Sequence, residues 1–294
     1  MKAPGEENPR ASVPFWTRPG IRLAGAVLLF IAVTLAARLG LGRALAALLD
    51  AWNVNAETAA LAPAWARLLY AWQGSLVSAA SAAAVIALAV AVYRVRIPKP
   101  EPAAVRWWLA GTAMALLSAA LFLLMDSLRP EWPLSAPRLS AGLLALWLLS
   151  LLTAFSEELF TKCVLMESVS PRWGMVWAVL AFFLINGGYS GTTISGINVA
   201  LMGVLCAVLY QRHGLWADVA FRWGWSFAAV FLLGQGGGDL AVYRLYGVSE
   251  NGLTGGDRGL AYGLWLTLLL CLMIARLILA VRKKGKNEGN PLQK

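Results

Sequence analysis

The stretch Leu143-Leu144-Ala145-Leu146-Trp147-Leu148-Leu149-Ser150-Leu151-Leu152-Thr153-Ala154-Phe155 carries no ionisable side chain, and Ser156-Glu157-Glu158-Leu159-Phe160-Thr161-Lys162 follows it directly. An apolar run of this kind, about 20 residues long at 1.5 Å rise per residue, has the length of a helix that crosses the roughly 30 Å hydrocarbon layer of a bilayer. Eight such blocks occur along the chain, at roughly 21–39, 70–93, 105–126, 140–166, 173–187, 195–211, 215–234 and 259–281. The 294 residues are 59% hydrophobic and only 14% charged, against about 25% charged in soluble domains. The missing charge is absent from whole blocks, not thinned evenly. The expectation is an all-α integral membrane protein, a bundle of about eight transmembrane helices, with fewer spans if one block is re-entrant. The fifth block is short and the seventh contains Arg222, so both are expected in the bundle interior.

Charge orients the bundle. Most of the 25 lysines and arginines lie in the N-terminus, the 94–106 loop, the 162–172 loop, the turn at Arg212 and the C-terminal tail. Lys and Arg favour the cytoplasmic side of a membrane protein, so both termini are expected in the cytoplasm of a multi-pass cell-membrane protein. The same placement accounts for the net charge of +10 without nucleic acid as a partner. Trp16, Trp107, Trp108, Trp132, Trp173 and Trp216 sit near block ends, where amphipathic rings prefer the interface. The first block has no convincing cleavage site and reads as a retained helix, not a signal peptide. Arg282-Lys283-Lys284-Gly285-Lys286 reads as a topology anchor. Cys163, Cys206 and Cys271 form neither a disulfide framework nor a metal motif, and no cofactor or metal is expected.

Charges inside a bilayer cost roughly 2.5–3.5 kcal/mol each on insertion scales, so the few present carry information. Glu157 and Glu158 are adjacent and point about 100° apart on a helix. Glu158 lies four residues before Lys162, the favourable order for a helical ion pair. Glu157 lacks a local partner and needs one from another helix, or a proton, or water. The competing reading leaves both glutamates hydrated at the cytoplasmic end. Arg222 could pair with Asp218 at i,i+4, snorkel to the interface, or meet Glu157 across the bundle. Asn186, followed by Gly187-Gly188, reads as an ordinary helix stop.

Three motifs in this order resemble those of the CPBP family, the CAAX-processing and bacteriocin-processing (Abi) intramembrane endopeptidases. The resemblance covers about 155–230. Glu157-Glu158-Leu159-Phe160-Thr161-Lys162 is similar to Glu-Glu-x-x-x-Arg, with Lys for Arg. Phe182-Phe183-Leu184-Ile185-Asn186 is similar to Phe-x-x-x-His, with Asn for His. Leu209-Tyr210-Gln211-Arg212-His213-Gly214-Leu215-Trp216 resembles the lead-in to the third motif. There Arg222 and Ser226 stand where the family has His and Asn.

The resemblance implies an intramembrane hydrolase in which the first glutamate and a histidine activate water while the third motif stabilises the oxyanion. The site positions it implies are Glu157, Glu158, Asn186, Arg222 and Ser226. Both motif histidines are replaced. The sole histidine, His213, reads as an interfacial turn residue. The expectation is therefore a catalytically impaired homologue, a pseudoenzyme in which Arg222 neutralises Glu157 and Asn186 hydrogen-bonds the pair. The alternative is a membrane adaptor or chaperone that binds transmembrane segments or lipid-modified chain ends. A transporter subunit is a third reading, with the glycine-rich run Gly234–Asp239 as a cavity wall or, more plainly, an outer loop. The expected partners are the lipid bilayer and a membrane-embedded or lipid-modified polypeptide. The chain divides into an irregular cytoplasmic leader (1–20), N-terminal transmembrane helices (21–138), a CPBP-like core (139–234), an outer loop with the last transmembrane helix (235–281), and a basic cytoplasmic tail (282–294).

Overall fold

The computed structural model describes residues 19–55, 57–58, 61–126, 143–169, 171–187, 192–233, 253, 260 and 263–288. These residues are helical, with no strand among them. The leader up to residue 18, the glycine-rich run, the end of the basic tail, Trp16 and Trp132 lie outside the described residues.

The helices are α1 (Pro19–Ala36), α2 (Gly42–Ala51), α3 (Ala64–Ala91), α4 (Ala104–Asp126), α5 (Leu143–Glu158), α6 (Pro171–Ile185), α7 (Thr193–His213), α8 (Leu215–Ser226) and α9 (Leu264–Glu288). A π-helical segment at Ala37–Leu41 joins α1 to α2, so the two form one continuous rod and the described residues make 8 helices. The first apolar block was expected to end near residue 39. Its helix runs on to Ala51 because Arg43, Ala44 and Leu45 onward are good helix formers and no proline intervenes. The last helix likewise continues past residue 281 to Glu288, since lysine and arginine sustain a helix as well as leucine does.

Among the described residues, five helices are long and apolar enough to cross a membrane: Gly20–Ala51, Ala64–Ala91, Ala104–Leu121, Leu144–Met166 and Thr193–His213. Trp173–Ile185 and Leu264–Ala280 are apolar but shorter. Leu28, Leu68, Leu109, Leu124, Leu144 and Leu184 are all more than half exposed. Such outward apolar surface would be a liability in water and is satisfied by lipid tails. The chain is a membrane protein of several apolar helices.

One helix is sheltered by the others. α8 is buried along nearly its whole length and packs on α4, α5 and α7. Its crossing with α4 depends on glycine at two places. A Cβ on Gly111 would overlap the Phe221 carbonyl oxygen, and one on Gly224 would overlap the Trp108 carbonyl oxygen. Without a hydrophobic force between helices in lipid, such backbone approach is what brings them together. The expectation of an interior helix holds for α8 and fails for α6. Trp173, Val176, Leu180 and Leu184 expose one side of α6, which packs on α7 and the segment after α5. A short helix can cap the rim of a bundle as readily as thread its middle.

Glu158 is followed by a second π-helical segment, Leu159–Met166, and Ser226 by a third, Phe227–Leu232. Single-turn widenings of this kind often sit at functional positions.

Candidate functional site

α5 delivers two glutamates in different directions, and α6 and α8 supply what meets the first. Arg222 NH2 lies 2.8 Å from Glu157 Oε2 and donates to Asn186 Oδ1 at 2.6 Å. Asn186 Nδ2 donates to Glu157 Oε2 at 3.4 Å and to the Phe182 carbonyl oxygen at 3.1 Å. Residues separated by 65 and 29 positions thus close one triangle across three helices. The geometry follows from local rules. Asn186 takes the position after the last turn of α6, its own N–H bonds Phe182 at 3.0 Å, and Gly187 with φ 68° ends the helix. The expected helix stop is therefore present, and its side chain is part of the site.

Glu158 turns inward. Its Oε2 is 2.9 Å from Lys162 Nζ, and both side chains are fully buried. Thr161 Oγ1 donates to the Glu157 carbonyl at 2.8 Å and lies 3.4 Å from Glu158 Oε2. Lys162 Nζ donates to Thr161 Oγ1 at 3.3 Å. The predicted i,i+4 pair forms, and the reading of two hydrated glutamates does not survive, because Glu158 meets no solvent. The alternative Asp218–Arg222 pair does not form. Asp218 leaves α8 toward Lys162, at 4.0 Å, while Arg222 leaves it toward Glu157, with Nε 3.6 Å from Glu158 Oε1. Arg222 is only 8% exposed, so it does not snorkel. Glu157, Asn186 and Glu158 inside the bundle outcompete the interface.

Phe182 is the platform beneath both cations. Its ring centroid is 4.7 Å from Arg222 Cζ and 5.6 Å from Lys162 Nζ. A desolvated cation over an aromatic face gains about 2 kcal/mol. Phe182 belongs to the second motif, but nothing in the sequence reveals that it serves two cations. Cys206 of α7 was also missed. Its thiol gathers with Glu158 and Asp218, ligand atoms within 4.8 Å of one another. Lys162 already supplies the positive charge at this spot, which leaves the trio ill suited to a metal ion.

The triangle forms part of the wall of a cavity of about 1080 Å³, together with Ser226, Ser150 and Thr153. The N-terminal helices build the opposite wall, through Gly42 and Leu45 of α2 and Tyr70, Gln73, Ser75 and Ser78 of α3. A second, more apolar cavity of about 370 Å³ lies between α1, α3, α5 and α6, and Glu157 lines both. Ser226 therefore shares the site's space without a direct bond to the triangle among the described residues.

The lead-in stretch acts as a hinge pin. Gly214, with φ 78°, turns α7 into α8. Trp216 Nε1 donates to the Pro98 carbonyl at 2.7 Å and its ring stacks on Phe155 at 5.3 Å. Tyr210 donates to Glu167 and contacts Cys163 Sγ at 3.6 Å. His213 packs against Trp107, 4.9 Å between ring centroids with the rings tilted by 40°.

The fold and site thus define a helical membrane protein with a carboxylate–cation cluster on α5, α6 and α8. Residues 139–228 match the family described as type II CAAX prenyl endopeptidase Rce1-like, in keeping with the CPBP resemblance of the motifs. Comparison of the whole chain with curated proteins and with solved structures returns no match.

Proposed function

We propose that this CAAX-protease-like membrane protein is a pseudoenzyme whose former hydrolytic site is now a fixed polar joint facing a binding cavity. The observation that carries the reading is the 2.8 Å contact between Arg222 and Glu157. A general base must present a free lone pair to water. The Arg222 guanidinium takes up that lone pair on Glu157, and Asn186 offers no second base. The excess of Lys and Arg in one set of loops supports a cell-membrane location with both termini cytoplasmic.

The test is cleavage of prenylated CAAX peptides by the purified protein in proteoliposomes, wild type against Glu157→Ala. No Glu157-dependent product is expected. Cleavage that disappears in Glu157→Ala overturns the reading; Glu157 would then act as base, with Asn186, Arg222 and Ser226 as oxyanion donors.

The cavity of about 1080 Å³ favours a second reading, an adaptor or chaperone that holds a transmembrane segment or a lipid-modified chain end. Photo-crosslinkers at Gln73 and Ser75 would trap such a polypeptide, and Glu157→Ala would lower the yield. Failure to trap any membrane peptide argues for a purely structural site.

A further inference from the structure

The polar cluster contains more negative charge than positive. Three carboxylates, Glu157, Glu158 and Asp218, face two cations, Lys162 and Arg222. The imbalance falls at the dry end. Glu157 is 18% exposed and reaches cavity water, but Glu158, Asp218 and Lys162 have no exposed side-chain surface. Arg222 spends its terminal nitrogen on Glu157 and Asn186. Asp218 is left with a single ammonium at 4.0 Å, beyond hydrogen-bond range, and neither of its oxygens has a hydrogen-bond partner.

An ionised carboxylate in that position carries a desolvation cost of several kcal/mol with no donor to offset it. Asp218 also lies against a second carboxylate, Glu158, whose Oε1 likewise has no hydrogen-bond partner. Like charges at this separation cannot both ionise easily, and one proton shared between two carboxyl groups removes the conflict. The remaining groups around Asp218 do not supply the missing charge. α7 brings the Cys206 thiol, which is no cation. α4, which packs on α8, meets Gly224 with Trp108 and Thr112.

We infer that the dry end of this cluster is a proton-binding site, in which Asp218 holds one proton and donates it to Glu158. The proton balances the cluster, so that Lys162 serves Glu158 and Arg222 serves Glu157. The inference is independent of whether Glu157 retains catalysis, since it concerns the other end of the cluster.

The experiment is infrared spectroscopy of the full chain in lipid nanodiscs at neutral pH, unlabelled and with carboxyl-13C aspartate. A protonated-carboxyl band that shifts on aspartate labelling is expected, and Asp218→Asn removes it while leaving the thermal midpoint within a few degrees. Glu158→Gln also removes it, because taking away one carboxylate cancels the excess charge and releases the proton from Asp218. Absence of the band from the wild type overturns the inference, as does a band unmoved by aspartate labelling or one that persists in Asp218→Asn. Should either variant fail to fold, the labelled wild type decides alone.

Discussion

Glu157 and Glu158 are neighbours in the chain and end in different media. Glu157 reaches the wall of a large cavity, takes a guanidinium and an amide from two other helices, and keeps some access to water. Glu158 is sealed between α5, α7 and α8, and takes an ammonium from its own helix one turn later. The pair teaches that the 100° between successive helical positions can divide one polar cluster into a wet half and a dry half. The wet half opens on a cavity through a triangle drawn from three helices. The dry half has the geometry of a joint, where each group is fixed by the lack of any alternative.

The contrast is most severely tested at Lys162. Lys162→Met leaves Glu158 buried without its cation, and breaking a buried pair costs about 3–5 kcal/mol. The variant should lose most of its folded yield in detergent. A thermal midpoint near that of the wild type would mean that the dry half is not a joint.

Gly224→Leu comes next. The added side chain pushes against the Trp108 carbonyl and the Thr112 hydroxyl, and overpacking at a tight crossing costs about 1–3 kcal/mol. Thermal denaturation should fall accordingly, with the wet half disturbed as well, because Arg222 rides on the same helix. If α8 tolerates leucine there without loss, its close approach to α4 does not hold the cluster together.

A double-mutant cycle on Glu157→Gln and Arg222→Met probes the wet half. Contacting groups in one network couple by about 0.5–3 kcal/mol. Arg222→Met should cost less than Lys162→Met, since the freed Glu157 can turn to cavity water while a freed Glu158 cannot. Equal losses would erase the distinction between the two halves.

Ser226→Ala is the mildest change. Ser226 lines the cavity without a direct bond to the triangle, and the expected shift is about 0.5 kcal/mol or less. A larger loss would add the serine to the triangle.

Much of this was legible before the fold. Long uncharged blocks give the helices, because a bilayer offers backbone groups no other partners. The i,i+4 spacing gave the Glu158–Lys162 pair, and the lack of a local partner singled out Glu157. The motif resemblance brought Asn186 and Arg222 to it. Asp218 misled, since its i,i+4 spacing to Arg222 promised a pair that the burial of Lys162 and Glu158 redirected. The path of α6 along the rim was hidden for a similar reason, as apolar composition is the same whether a face meets lipid or protein.

By itself the sequence determined the medium, the helical class and the identity of the few charged groups, because each depends on composition or on spacings within one helix. Only the tertiary structure decided which charge faces which, that α2 and α3 wall the cavity, and that Phe182 underlies both cations. It also decided that Asp218 is left with one distant ammonium. These depend on how α4, α5, α6, α7 and α8 cross, and the α4–α8 crossing needs glycine at 111 and 224. No single helix encodes that relation in its own periodicity.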